Sequence, residues 1–295
     1  MESGGSGTRR LAWQGTGAVQ PPPAFVRSAV GPPPRPALVV PVLLEGIAAM
    51  TAMPVIVGHR GAALCAPENT LGSFRRALDD GALMLECDVH LSADGQIVVM
   101  HDETIDRTAA PDSPRRTGAI ADLTRAQLDE VVLEDGEKVP SLEELLDLLA
   151  ERGRTGEQPG VYVEIKASEA GTAVARMLAG KPWAEVISFH PEALAAVRAE
   201  APAVRLGLLA DQLTEQHIAA ARELRCEMLS LNIEHLTAET RQTVRDMGVP
   251  LNVWTINEEP MLVRALELDA DTISTDDPAW AIATIRKRSG NEASV

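Results

Sequence analysis

From about Met53 onward, short β-branched runs alternate with longer segments whose apolar residues recur every three or four positions. The runs fall at 54–58, 83–90, 96–101, 161–166, 185–189, 204–209, 227–231, 250–255 and 271–275. Most are nearly continuous in apolar character, as strands buried on both faces are. The segments between them, such as LGSFRRALDDG, SLEELLDLLAERG, LTEQHIAAARELR and LTAETRQTVRDMG, carry a helical period. The first and last of these run into Gly81 and Gly248, a common way for a helix to stop. Buried strands alternating with amphipathic helices predict a parallel sheet covered by helices. Roughly eight such units predict a (β/α)8 TIM barrel over residues 53–288 rather than an open doubly wound sheet. No GxGxxG opens the first helix, which disfavours a dinucleotide site.

Nine runs are one more than the barrel needs. The second and third are separated only by Ser92-Ala93-Asp94-Gly95. A parallel crossover needs a dozen residues or more, whereas Asp-Gly is a hairpin turn. These two strands are therefore predicted to be antiparallel, one of them extra to the eight. Folding the ladder about Asp94 returns His101 to the side of Cys87 and Asp88.

Residues 1–52 break the pattern. They are rich in Gly, Ser and Pro without an apolar period, and are expected to be a disordered or mis-started segment, with Met50 or Met53 a candidate start. The run ALVVPVLLEGIAAM is interrupted by Pro41 and Glu45 and falls short of the roughly 20 apolar residues of a membrane span. Arg9-Arg10 leads into no unbroken apolar stretch, so no signal peptide and no stable membrane insertion are expected. Residues 289–295 are expected to form a tail.

Charge narrows the range of partners. The 27 Lys and Arg against 43 Asp and Glu leave a net −16, a surface that repels nucleic acids and anionic membranes. Any phosphate handled here must therefore meet local positive charge, from a few side chains or a bound cation. Aromatic residues make up only 3%, so the core must be built from Ala, Val, Leu and Ile. Cys65, Cys87 and Cys226 are odd in number and without C-x-x-C spacing. A reducing, cytoplasmic setting follows, with all three thiols expected to be packed or chemically silent.

The candidate chemistry gathers at strand ends. In VGHRGAALCAPENT a β-branched strand stops at His59 and Arg60 rather than at turn residues. Both side chains are costly to bury without partners, and Gly58 and Gly61 are expected to keep the backbone clear of a ligand. Glu86 and Asp88 stand two apart on one strand and share a face. Glu164 and Lys166 repeat the spacing on another. Three carboxylates from Glu86, Asp88 and Glu164 make a hard-oxygen set suited to one divalent cation, Mg²⁺ or Ca²⁺. His59 and His101 are natural acid–base partners near neutral pH. Arg60 and Lys166 supply the positive charge the surface lacks. Each motif alone is commonplace, but polar groups at four separate strand ends point to a barrel-mouth site. Asn69 or Thr70 is expected to cap the next helix, with a structural role for Glu68.

These residues resemble the glycerophosphodiester phosphodiesterase family of phospholipase-C-like barrels. The likeness runs from about Val55 to Pro278. It rests on Gly58-His59-Arg60-Gly61 with Pro67-Glu68-Asn69-Thr70, then on Glu86-Cys87-Asp88-Val89 with Val98-Val99-Met100-His101-Asp102. Asp106-Arg107-Thr108, Glu164-Ile165-Lys166, Ser188-Phe189, Val253-Trp254-Thr255 and Thr275-Asp276 follow in the family's order. The resemblance implies His59 and His101 as catalytic acid and base, and Glu86, Asp88 and Glu164 as metal ligands. It implies Arg60 and Lys166 as phosphate holders and Trp254 at the border of the alcohol pocket. The implied reaction is metal-dependent hydrolysis of a small-molecule glycerophosphodiester to sn-glycerol 3-phosphate and an alcohol. Two alternatives stand beside it: a lysophospholipase D-type phosphodiesterase, and a non-catalytic glycerol-phosphate binding protein. The stretch from Glu103 to Pro140 is expected to be a reduced recognition insertion.

Overall fold

The computed structural model describes residues 53–290. The expected disordered or mis-started segment, 1–52, and residues 291–295 of the expected tail lie outside the described residues. Nine strands follow in chain order: β1 Val55–Gly58, β2 Met84–Leu91, β3 Ile97–Val99, β4 Gly160–Ile165, β5 Ala184–Ser188, β6 Arg205–Ala210, β7 Met228–Asn232, β8 Leu251–Trp254 and β9 Thr272–Thr275. Eight of them form a closed parallel barrel in the order β1-β2-β4-β5-β6-β7-β8-β9, with β9 paired back onto β1. The ninth, β3, pairs antiparallel on β2 through Val89↔Val99, His90↔Val98 and Leu91↔Ile97. That is the hairpin predicted from the Asp-Gly turn, and its ladder continues where the Met100 amide donates to the Asp88 carbonyl at 3.0 Å.

The helices are α1 Leu71–Asp79, α2 Arg125–Leu128, α3 Leu142–Thr155, α4 Gly171–Leu178, α5 Pro191–Glu200, α6 Glu215–Glu223, α7 Ala238–Met247, α8 Glu259–Glu267 and α9 Pro278–Arg288. Their starts are chemically marked. Thr70 caps α1 by accepting from the Ser73 amide, and Ser141 and Glu144 form a reciprocal capping box on α3. Gly248 ends α7 in the left-handed conformation, at φ 68°.

Alternation along each strand sorts side chains into two cores. On β2, Leu85, Cys87 and Val89 face the helices, where Phe74, Leu145 and Leu149 meet them in the main core. Inside the barrel, Val57, Tyr162, Ile187, Leu209 and Met228 fill the lower layers. Phe74 and Tyr162 are the only fully buried aromatics among the described residues, so aliphatic side chains carry the packing. Glu86 and Asp88 continue the inward-facing series above Met84.

The hairpin and the residues after it build a satellite core from Val98, Met100, Ile105, Ile120, Leu128 and Val139, among others. The stretch expected to be a reduced insertion is therefore a packed subdomain. It anchors the loop that carries His101 and Asp102 beside the barrel mouth. No helix among the described residues is long and apolar enough to cross a membrane.

Candidate active site

Strand ends deliver the site. His59 and Arg60 follow β1, Glu86 and Asp88 project from β2, and His101 follows β3. Glu164 and Lys166 lie at the end of β4, and Trp254 ends β8. His59, Arg60, Glu86, His101, Glu164, Lys166 and Trp254 all line one cleft of about 120 Å³. Asp88, only 1% exposed, lies beneath Arg60 and Lys166 rather than at the cleft surface.

The turn after β1 is shaped by packing. A Cβ on Gly58 would sit 2.5 Å from the Gly61 carbonyl oxygen and 2.8 Å from the Ala77 Cβ. Gly61, at φ 88°, would meet Ser73 Oγ at 2.4 Å. These glycines let the turn close onto α1, which corrects the expectation that they clear space for a ligand. Arg60 itself takes φ 50°, uncommon outside glycine. That conformation aims its amide at Glu86 Oε2, 2.9 Å away.

Glu86, Asp88 and Glu164 each offer an oxygen, and these atoms lie within 4.8 Å of one another. Oxygens across a Ca²⁺ or Mg²⁺ ion bound at roughly 2.1–2.6 Å are separated by about that distance, so one cation fits without moving the strands. Charge argues the same way. Lys166 Nζ stands 2.7 Å from Glu164 Oε1 and 3.2 Å from Asp88 Oδ1, and Arg60 Nε is 3.3 Å from Asp88 Oδ2. Two cations thus face three buried carboxylates, and Glu86 Oε1 is left buried without a hydrogen-bond donor. Burial and the negative charge of Asp88 push Glu86 up to about 8, and the same two causes push Glu164 up to about 7. Burial opposes ionisation of Asp88 too, but Lys166 and Arg60 outweigh it and hold that carboxyl low. A hard divalent cation would supply the missing positive charge.

Both histidines are tethered by the same nitrogen. His59 Nδ1 lies 2.6 Å from Asp276 Oδ1, and His101 Nδ1 lies 2.7 Å from Asp102 Oδ1. A carboxylate partner keeps the proton on Nδ1, which leaves each Nε2 to exchange a proton elsewhere. Burial works against protonation of His59, yet the Asp276 hydrogen bond and the Glu86 charge outweigh it and hold the imidazole above its ordinary value.

Several participants escaped the sequence reading. Asp276 and Asp102 were visible only as parts of longer motifs. Asn69, in the left-handed region at φ 57°, donates from Nδ2 to Asp88 Oδ2 at 2.8 Å. The capping role falls to Thr70, and Asn69 orients a carboxylate instead. Phe189 stands edge-on to Trp254, with ring centroids 5.7 Å apart, and extends the apolar wall. Ser230, Asn252 and Ser274 form a buried polar floor, with Asn252 Nδ2 donating to Ser230 Oγ at 2.7 Å. Of the three thiols, Cys87 and Cys226 are buried, whereas Cys65 is exposed rather than packed.

Fold and site together define a barrel enzyme with a cation-competent carboxylate cluster and two tethered imidazoles at the C-terminal ends of its strands. The model of the glycerophosphoryl diester phosphodiesterase family matches residues 59–280. A glycerophosphodiester phosphodiesterase of Caldanaerobacter subterraneus subsp. tengcongensis is 30% identical over 257 residues, covering 79% of this chain and 98% of that protein. The crystal structure of a glycerophosphodiester phosphodiesterase from Agrobacterium tumefaciens superposes with a TM-score of 0.63 at 28% identity, covering 78% of this chain and 100% of that one. An Oleispira antarctica phosphodiesterase, solved with sn-glycerol-3-phosphate, superposes at 0.71 over 79% of this chain and 96% of its own, and at 24% identity speaks for the fold. The chain belongs to the glycerophosphoryl diester phosphodiesterase family.

Proposed function

We propose that the protein hydrolyses glycerophosphodiesters to sn-glycerol 3-phosphate and a free alcohol such as choline or ethanolamine, with one divalent cation, Mg²⁺ or Ca²⁺. The observation that carries this reading is the convergence on one cleft of Glu86, Glu164 and two carboxylate-tethered histidines, with Asp88 close beneath the two carboxylates. Simple binding of a glycerol phosphate has no use for two proton carriers, which disfavours the non-catalytic alternative. The cleft is small, and Phe189 with Trp254 is its one aromatic pair among the described residues, which favours a compact head group over the acyl chain of a lysophospholipid.

Glu86, Asp88 and Glu164 would hold the cation. When bound, it would withdraw charge from the phosphate oxygens and from the attacking hydroxyl or water. Arg60 and Lys166 meet the phosphate at its other oxygens. One histidine removes the proton of the nucleophile through Nε2 while the other protonates the departing alkoxide. Asp276 and Asp102 hold the rings so that each Nε2 faces the substrate. Trp254 and Phe189 shield the leaving alcohol from solvent. Three free thiols agree with a reducing, cytoplasmic setting.

The test is release of glycerol phosphate from glycerophosphocholine, with and without chelator. Glycerophosphocholine turned over in parallel with a lysophosphatidylcholine separates the compact substrate from the lipid one. Faster turnover of the lipid would reverse the preference argued here.

A further inference from the structure

Arg107 belongs to a motif that the reaction scheme leaves unused, and its side chain makes an unusual set of bonds. Nε donates to Asp102 Oδ2 at 2.7 Å and Nη2 to Asp102 Oδ1 at 3.1 Å. Nη1 donates to Glu68 Oε2 at 2.9 Å and Nη2 to Glu68 Oε1 at 2.7 Å. All three nitrogens are engaged, each carboxylate in a two-pronged grip. Asp102 is the partner of the His101 ring, and Glu68 accepts from Arg60 Nη1 at 3.0 Å. A single guanidinium therefore joins the partner of a histidine to the partner of an arginine. The two belong to loops from different parts of the chain, one after β1 and one after β3. The grip is felt by both carboxylates. Hydrogen bonds from Arg107 hold Asp102 well below the usual carboxylate range. Burial of Glu68 is outweighed by Arg107 and Arg60, which keep it ionised.

We propose that Arg107 is the positioning residue that fixes the spacing between His101 and Arg60, the proton carrier and the phosphate holder of the site. The inference rests on the roles assigned to those two residues above. Asp102 has a free torsion between its carboxylate and the loop, and without Arg107 it can turn and take the His101 ring with it. Glu68, released on the same side, loosens Arg60. Lysine cannot substitute, because a point ammonium grips neither carboxylate with two parallel bonds and cannot span both. Arg107 is about half exposed, and without it Glu68 keeps Arg60 and Asp102 keeps His101 as partners. The barrel should stay folded without it, at the modest cost in stability of losing a half-exposed two-carboxylate ion-pair network.

Steady-state kinetics on glycerophosphocholine with saturating divalent cation test this in four proteins: Arg107→Gln, Arg107→Lys, His101→Ala, and His101→Ala combined with Arg107→Gln. Arg107→Gln should lower kcat by about tenfold or more and raise KM, with Arg107→Lys recovering little of either. In the His101→Ala background, Arg107→Gln should leave kcat within about twofold, because the ring it orients is gone, while the rise in KM through Glu68 and Arg60 persists. A kcat loss that multiplies in the double variant, or parent-like kcat in Arg107→Gln, overturns the proposal. Should Arg107→Gln fail to fold, Arg107→Lys is read in the same two backgrounds by the same criteria. The outcomes separate the two claims. Parent turnover in His101→Ala would defeat the catalytic reading itself. An inactive His101→Ala beside a parent-like Arg107→Gln would defeat only the positioning role.

Discussion

The His59 ring and the Asp276 carboxylate, 2.6 Å apart, join the tips of β1 and β9 at the seam where the barrel closes. The His59 amide also donates to the Thr275 carbonyl at 2.9 Å, so ring and backbone are fixed by adjacent residues at the end of β9. Asp276 is steadied in turn by Asn257, whose Nδ2 donates to its other oxygen at 2.5 Å.

Replacing Asp276 by Asn should keep this geometry while removing the charge that favours the working tautomer. A loss in kcat of about tenfold to a thousandfold is expected, with the melting temperature nearly unchanged. The sign of the accompanying pH effect follows from the opposing influences on His59. Burial lowers its pKa and Asp276 raises it, so the limb of the rate profile belonging to His59 should move to lower pH in the variant. A limb that stays in place would show that Asp276 does not act through that ring.

The histidines and the carboxylates should separate under mutation. His59→Ala and His101→Ala should each lower turnover by about a hundredfold or more and retain cation binding. Their side chains are 18% and 32% exposed, outside the packed layers, so melting temperatures should shift little. Glu86→Gln should lose cation affinity as well as rate, measurable by calorimetric titration of the ion. A His101→Ala protein hydrolysing at the parent rate would remove His101 from the mechanism.

Stability of the metal-free protein should fall as pH rises. Glu86 and Glu164 are pushed up to about 8 and about 7 from an ordinary 4.5. Between roughly pH 4.5 and 8 the folded state thus holds more protons than the unfolded chain, and stability declines with pH across that window. Asp88 is held low instead, so its contribution is lost only as pH falls through the acid range below about 4. Added Mg²⁺ or Ca²⁺ should cancel the decline by binding the ionised carboxylates, so the gain in melting temperature should be larger at pH 8 than at pH 5.5. Equal gains at both would contradict the shared site.

Asn69 offers a test of backbone and side chain together. Asn69→Ala loses two contacts to Asp88 and places a Cβ-bearing residue without local hydrogen bonds at φ 57°. A loss of about 2–4 kcal/mol in unfolding free energy is expected. Asn69→Gly, free of the backbone cost, should lose roughly 1 kcal/mol less. Reversal of that order would mean the left-handed conformation is not what Asn69 supplies.

The fold was legible because its signals are local. Continuous apolar strands, helical periods between them and the Asp-Gly turn were each contained in a few residues. The antiparallel β3 followed from a connection too short for any parallel crossover. The candidate site, as a gathering of side chains, was legible where they stand at strand ends, as His59, Glu86, Asp88 and Glu164 do. It was not legible where function lies in partnership. Asp276, Asp102 and Glu68 are three of 43 acidic residues, and nothing local marks them as the groups that hold two histidines and two arginines. Asn69 reads as a helix cap until the turn after β1 brings it under Asp88. Gly58 and Gly61 read as clearance for a ligand because nothing in the spacing shows that the turn folds back onto Ser73 and Ala77 of α1. The polar floor of Ser230, Asn252 and Ser274 sits inside strands that otherwise read as apolar.

The most direct measurement is turnover of glycerophosphocholine by protein stripped of metal with EDTA, followed by titration with Mg²⁺ or Ca²⁺. Loss of sn-glycerol 3-phosphate release on stripping, and its return at a stoichiometry of one ion per chain that Glu86→Gln abolishes, is the predicted result. Undiminished release from protein whose metal content is confirmed as zero would contradict it.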